Sequence, residues 1–438
     1  MASHPLAHPS HAPLEKAPPS ATYKQWSVVT ASTVSFTVCF MVWMMFAVIG
    51  IPIKQALGLN ETQFGVLVAL PVLTGSLIRL PIGMWTDRFG GRIVFFILML
   101  STVVPIWLIS RATEFWHFLV TGLFVGVAGG SFTVGIAYCA RWFPKERQGL
   151  AMGIFGAGNT GAAVTKLVAP TIVVAFGWAM VPQVYAVMML VTALLFWMFT
   201  YTDQSHGTAH VTMAEQVHVL KDPKVWRYSQ YYSIVFGGYV ALALWMTKYY
   251  ISEYGFDIRL AALLAAAFSI PGGVLRAIGG WISDKYGAHS VTWWVLWVSL
   301  VCLFFLSYPQ TDVTIQTVKG PATFHIGLGP TGFTVIMFTM GIAFAIGKAS
   351  VFKYISDDYP HNIGVVSGVV GLAGGMGGFI LPIMFGALVD LTGVRTSAFM
   401  LMFGVVWVSL MWMYFTEVRP LEEEESHRHP EPIHFTDN

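Results

Sequence analysis

Long apolar runs recur along the chain, separated by short polar breaks rich in Gly, Asp, Arg and Lys. Runs of this length match the roughly 20 residues that a helix needs to cross a hydrocarbon core. The pattern predicts twelve spans, the first at Ser27–Ile53, then at 64–85, 93–112, 115–140, 149–177, 180–201, 228–250, 258–282, 289–308, 332–355, 362–390 and 396–416. Residues 1–26 carry His4, His8 and His11 and read as a disordered tail; they lack the short charged start of a cleaved leader, so the first run is read as a retained span. The longest polar stretch between spans, 202–227, divides a first bundle (27–201) from a second (228–416). From Glu417 the sequence EEEESHRHPEP reads as an acidic, solvated tail (417–438).

Composition sharpens this picture. Charged residues are 11% of the 438 positions and apolar ones 55%, against about 25% charged in an ordinary soluble domain. An all-α, multi-pass membrane protein follows, with no loop large enough for a catalytic or signalling domain. The net charge of +2 is uninformative about nucleic acid, and no nucleic-acid partner is expected. Cys39, Cys139 and Cys302 lie in apolar stretches without pairable or metal-like spacing. The histidine-rich ends have no defined ligand spacing either, so no cofactor or metal is assigned. With both tails cytoplasmic, fourteen Lys and Arg fall on that side and six on the other; this bias predicts both termini inside. Four basic residues remain within spans: Arg79, Arg276, Lys348 and Lys166.

The two halves repeat. Arg79–Gly90 (RLPIGMWTDRFG) and Arg276–Gly287 (RAIGGWISDKYG) both fit R-x3-G-x3-D-R/K-F/Y-G, 197 residues apart. Gly149, Gly153 and Gly156 of the fifth span likewise match Gly364, Gly368 and Gly371 of the eleventh. Repetition in the same orientation predicts two bundles related by an axis along the membrane normal, with a site between them at mid-depth.

Each repeated arginine stands eight residues before the Asp that ends its span, hence about 12 Å deep. An arginine there costs at least about 2.5–3.5 kcal/mol, and a buried carboxylate partner would be the plain structural explanation. No span interior contains an Asp or Glu, so the pair predicts a site for an anion, whose oxygens the planar guanidinium forks can grip two at a time. Tyr232 and Phe236 share a helix face, and Phe132 lies mid-way along the fourth span; aromatic walls suit a flat ligand, although such residues more often serve packing. Lys348 lies nine residues before Asp357, at about 13 Å depth. Lys166 is nearer the outer end, where it would snorkel to the interface. A lysine beside the arginines would lose its proton when the site is empty and regain it when an anion arrives, which couples one proton to one anion.

The glycine runs GIFGAGNTG (with Gly156, Gly158, Gly161) and GLAGGMGG (with Gly374, Gly375, Gly377, Gly378) allow close helix packing, and at symmetric places they offer smooth faces on which bundles rock. Asn159 adds a donor amide at mid-depth. Asp87, Arg88, Arg92, Arg141, Arg147 and Asp284 form loop elements expected to latch one conformation.

The G-x3-D-R-x-G-G-R element after the second span resembles the loop motif of the major facilitator superfamily. More narrowly, the paired arginines, GAGNTGAAVTKLVAP and GLAGGMGGFILP resemble the two signatures of the nitrate/nitrite porter family (NarK/NasA type), over nearly all of 27–416. The resemblance implies that Arg79 and Arg276 hold nitrate, that Phe132, Tyr232 and Phe236 wall it, that Asn159 contributes its amide, and that the signature glycines are hinges of alternating access. Exchangers of that family have an uncharged residue where this chain has Lys166, and the chain has only a short linker between its halves; both favour nitrate/proton symport. The scarcity of carboxylate or histidine at mid-depth argues the other way, for nitrate/nitrite antiport at the same site. Remaining alternatives are transport of another small anion, such as an organic carboxylate, and a non-transporting sensor or membrane enzyme. No span pair offers a nucleophile with a base. The expectation is a monomeric, non-enzymatic nitrate importer in the bacterial inner membrane, partnered by nitrate (and nitrite), protons and lipid.

Overall fold

The computed structural model describes residues 19–202, 221–359 and 363–420. Ten helices are long and apolar enough to cross a membrane, and twelve when each of two bent pairs is taken as one span. These follow the predicted order: Pro19–Trp43 continuing in Phe46–Leu57, then Glu61–Leu77 with Arg79–Phe89, and so on to Ser397–Met413. An even number of spans puts the start of the first span and the close of the last at one end of the bundle, here the terminal end; the opposite end is the far end.

Three boundaries differ from the sequence reading. The first helix begins at Pro19, so Pro19–Trp26, read as tail, are helical. The seventh begins at Pro223, where Asp222 caps it by accepting from the Lys224 N–H, so the last residues assigned to the linker belong to a span. Glu417 is not a tail residue: the last span runs on through Tyr414–Val418, and Glu417 accepts from Tyr354 Oη at 2.6 Å and Tyr231 Oη at 3.0 Å and faces His289 at 2.8 Å. Three phenol and imidazole groups compensate its burial, which sequence patterning alone does not reveal. Residues 1–18, 203–220 and 421–438, assigned to tails and linker, lie outside the described residues. The stretch between the ninth and tenth spans forms an antiparallel hairpin of Thr311–Thr317 and Gly320–Ile326 at the far end.

Backbone irregularity is concentrated at mid-depth. The second span bends by 41° between Leu77 and Arg79, and the eighth by 48° between Val274 and Arg276. Pro81 explains the first break, because its ring meets the carbonyl four residues earlier, at Leu77. The second follows the Gly272–Gly273 pair. The fourth and fifth spans tighten to 3-10 turns at Gly126–Gly130 and Ala157–Thr160, and the seventh widens to a π segment at Ser233–Gly238. Such departures from α geometry commonly sit at functional sites.

The halves meet along two seams toward the far end. The second span crosses the eleventh so closely that a Cβ on Gly65 would lie 2.9 Å from Ile383 Cα. The fifth crosses the eighth, where a Cβ on Gly273 would lie 2.8 Å from the Thr160 N.

Candidate functional site

Each break makes an arginine the first residue of a new helical segment, Arg79 in one half and Arg276 in the other. Freed from a continuous helix face, both side chains turn toward the division between the halves and meet on one aromatic ring. Arg79 Cζ lies 5.8 Å and Arg276 Cζ 5.2 Å from the centroid of Phe132. Each guanidinium has a second ring: Phe236 at 5.1 Å from Arg79, and Phe352 at 5.1 Å from Arg276. Tyr232 stacks on Phe236 at 5.1 Å with 5° between the planes, and meets Phe352 edge-on at 5.1 Å. The π segment sets this stack, since it begins just after Tyr232 and contains Phe236.

The glycine runs receive these side chains crosswise. Arg79 Nη1 donates to the Gly371 carbonyl, in the other half, at 3.0 Å. Arg276 passes Gly156 of the first half, where a Cβ would touch its Cδ at 3.8 Å. Repeated glycines thus clear a path for the arginine of the opposite bundle.

Among the described residues neither guanidinium has a carboxylate partner. Arg79 Nε, Arg276 Nη1 and Tyr232 Oη are buried and lack a hydrogen-bond partner there. Three unsatisfied donors and two positive charges in a buried, ring-lined space are arranged as a small anion would need them; left uncompensated, each such group costs about 1–3 kcal/mol or more.

The structure brings Arg79, Arg276, Phe132, Tyr232 and Phe236 together. Asn159 lies on the 3-10 turn that follows Gly156, and its Nδ2 donates back to the Gly156 carbonyl at 3.0 Å. Lys348 is fully buried, donates to the Gly272 carbonyl at 2.6 Å and sits 3.6 Å over the Tyr239 ring. Lys166 does not snorkel. It is buried, and its Nζ donates to Ser269 Oγ of the opposite half at 2.5 Å. A long side chain reaches water only if its face borders lipid, whereas this one points into the seam between bundles. The two lysines, from different halves, therefore converge on one turn of the eighth span, and Tyr239 Oη donates to Ser269 O there at 3.0 Å.

The signature glycines divide by task. Gly158 and Gly161 press against Phe36 and Thr37 of the first span, and Gly374 and Gly377 against Tyr232 and Ser233 of the seventh, all within one half. Gly375 meets Ser76, and Gly378 meets both Val240 and Val72, so these two, like Gly371 beside Arg79, lie against the opposite half.

At the terminal end Asp87 pairs with Arg141, which also donates to the Thr86 carbonyl at 3.2 Å. Asp284 is 3.4 Å from Lys353, itself paired with Asp357 at 2.9 Å. Both sets lie within a half, in matching positions. Arg92 stands apart from them, stacked 4.1 Å over Trp197 and donating to its carbonyl at 2.6 Å. Arg88 and Arg147 are exposed.

Sequence reasoning missed Phe352, although it lies one turn after Lys348. It also missed Ser269, Tyr239 and the crossing glycines Gly65 and Gly273, which carry no local signature.

Comparison with known proteins agrees with this architecture. The Major Facilitator Superfamily profile matches residues 31–382. A Thermus thermophilus protein named probable nitrate/nitrite antiporter NarK1 is 37% identical over 95% of this chain and 96% of its own length. A Bacillus subtilis nitrite extrusion protein is 29% identical over 90% of this chain and 96% of its own. A probable nitrate transporter NarT from Staphylococcus carnosus is 32% identical over 88% and 95% respectively. Among solved structures, a bacterial homologue of the human lysosomal transporter Spinster, inward-facing and occupied, superposes with a TM-score of 0.68 at 15% identity, covering 90% of this chain and 96% of that one; this likeness concerns the fold.

Proposed function

The chain belongs to the major facilitator superfamily, and from that membership we propose that it carries nitrate across the bacterial inner membrane by alternating access. The observation that carries this reading is the meeting of Arg79 and Arg276, one from each half, on Phe132, with no carboxylate partner for either among the described residues. A planar trioxoanion can accept in-plane hydrogen bonds from both guanidiniums and from Tyr232 Oη while aromatic faces cover it. Loading it relieves the repulsion between the arginines, so the halves close fully only when the site is filled. The names of three relatives point to the same class of anion. The Lys-and-Arg bias favours a cytoplasmic terminal end, and on this reading the far end is the entry side for import.

Tyr232 tests the site by subtraction. Tyr232→Phe removes one unpartnered donor and keeps the stack on Phe236. Nitrate KM is expected to rise about tenfold, matching one hydrogen bond to a charged partner, with maximal flux largely kept. An unchanged KM would place the anion elsewhere.

Coupling to protons is the finer part of the proposal. Lys348 and Lys166 add two buried amines that meet the eighth span, and their hydrogen-bond partners among the described residues, Gly272 O and Ser269 Oγ, are neutral; buried cations of this kind commonly belong to ion pathways. Exchange of nitrate for nitrite is the second reading, favoured by the name of the Thermus relative. Flux into proteoliposomes that contain a pH dye separates them. Symport acidifies the lumen of empty vesicles when nitrate is added outside, and Lys348→Gln abolishes that acidification. Exchange gives uptake only into nitrite-loaded vesicles, without a pH change.

A further inference from the structure

At the far end, two carboxylates bind across the division between the halves, and both contacts involve the start of the second span. Glu61 opens the second span, in the first half, and its side chain pairs with Lys248 of the seventh span, in the second half. Asp390, near the end of the eleventh span in the second half, reaches back over the same helix start. Its Oδ1 accepts from the Glu61 N–H at 3.1 Å, and its Oδ2 accepts from the Thr62 N–H at 2.8 Å and from Thr62 Oγ1 at 2.6 Å.

We propose that Glu61, Lys248 and Asp390 form the lock that holds the far end closed. The ties are reciprocal: the acid of the first half holds a base of the second, and the acid of the second half caps a helix of the first. A carboxylate on free N–H groups at a helix start is favoured both by hydrogen bonding and by the helix dipole. Asn60 caps the same helix from within its own half by accepting from the Gln63 N–H at 2.7 Å, so Asp390 satisfies donors that the local cap leaves open.

The surroundings raise the worth of the ion pair above that of a solvated one. The Lys248 side chain is 9% exposed, and its ammonium lies 4.3 Å over Trp245 and 5.5 Å over Phe64. Lys54 adds a second cation 3.3 Å from Glu61. Arg395 with Glu253 at 3.2 Å, also at this end, lies wholly within the second half and need not break when the halves part. Neither carboxylate belongs to the anion cradle, so the lock sets which end is open without touching the cargo.

The proposal rests on alternating access and is independent of the transported anion. Its test is thiol accessibility in substrate-free vesicles. Cys39, Cys139 and Cys302 are buried, which keeps background labelling low. Ile383→Cys, on the seam beside Gly65, reports opening when a membrane-impermeant maleimide is added from the far side. Glu61→Gln and Asp390→Asn should each speed labelling about fivefold to tenfold, in line with the loss of a partly buried charged contact. Arg395→Gln is the control and should leave the rate unchanged. Reversing the pair, Glu61→Lys with Lys248→Glu, should return the rate toward the parent. Equal rates for the parent, Glu61→Gln and Asp390→Asn would overturn the lock, and so would acceleration by Arg395→Gln to the same degree, since any lost charge would then act alike. Persistence of nitrate flux in that case would leave the functional reading intact, while lock behaviour without nitrate flux would overturn only the anion assignment.

Discussion

Arg79→Gln and Arg276→Gln are each expected to lower kcat/KM for nitrate by about a hundredfold to ten-thousandfold. Each substitution removes two charge-assisted hydrogen bonds, at about 1.5–3 kcal/mol apiece. Each also removes a charge from a space where the described partners are aromatic rings and a single carbonyl. Lysine is expected to fail as a replacement at either place, because a point charge cannot grip two oxygens of one planar anion. Folding should survive, since a buried cation without a carboxylate partner is itself a cost that the neutral amide removes. The measurement is radiolabelled nitrate uptake alongside size-exclusion behaviour and thermal unfolding of the purified variants. Uptake within threefold of the parent in a well-folded Arg276→Gln would exclude the central pair as the anion site.

A substitution far from the anion is expected to have a comparable effect through conformation. Gly65→Leu puts a side chain where the eleventh span passes, with Pro382 C and Ile383 Cα both 2.9 Å from the new Cβ. Those neighbours are backbone and cannot step aside. Overpacking of this kind costs about 1–3 kcal/mol, and that cost falls only on the conformation in which the seam is closed. The equilibrium should shift toward a far-end-open state by about tenfold or more, stalling transport while nitrate still binds. Gly161→Leu provides the contrast. Its new side chain would press on the Met41 N at 2.9 Å, within the same half, so it should lower thermal stability without favouring either conformation. Spin-label distances across the far end, read with a nitrate-binding assay, distinguish the two outcomes. A Gly65→Leu protein that transports normally would show that the seam stays closed throughout the cycle.

Most of the architecture was legible in the sequence because a bilayer leaves a chain few choices. Every backbone N–H and C=O in hydrocarbon must be paired within its own segment, so apolar runs of this length become helices, and the breaks between them are read from charge and glycine. The internal repeat showed the two bundles before any coordinate did. The same logic singled out Arg79 and Arg276, since a charge in a span stands out against its surroundings. Boundaries were less legible. Glu417 reads as part of an acidic run, yet it is bound by Tyr231, Tyr354 and His289, which come from three other spans.

By itself, the sequence determined that the protein crosses the membrane in two matched halves with one arginine inside a span of each, because those facts depend on local hydropathy and on repetition along the chain. Tertiary structure decided what each of those residues meets. Lys166 points into the seam onto Ser269, Phe352 closes the ring around Arg276, and glycines without any motif, Gly65 and Gly273, set how closely the bundles cross. Such contacts join residues of different spans, far apart along the chain, and their geometry follows from helix bends and crossings that no local pattern encodes. The physical reason is that hydropathy is a property of a segment, whereas a binding site is a property of the space between segments.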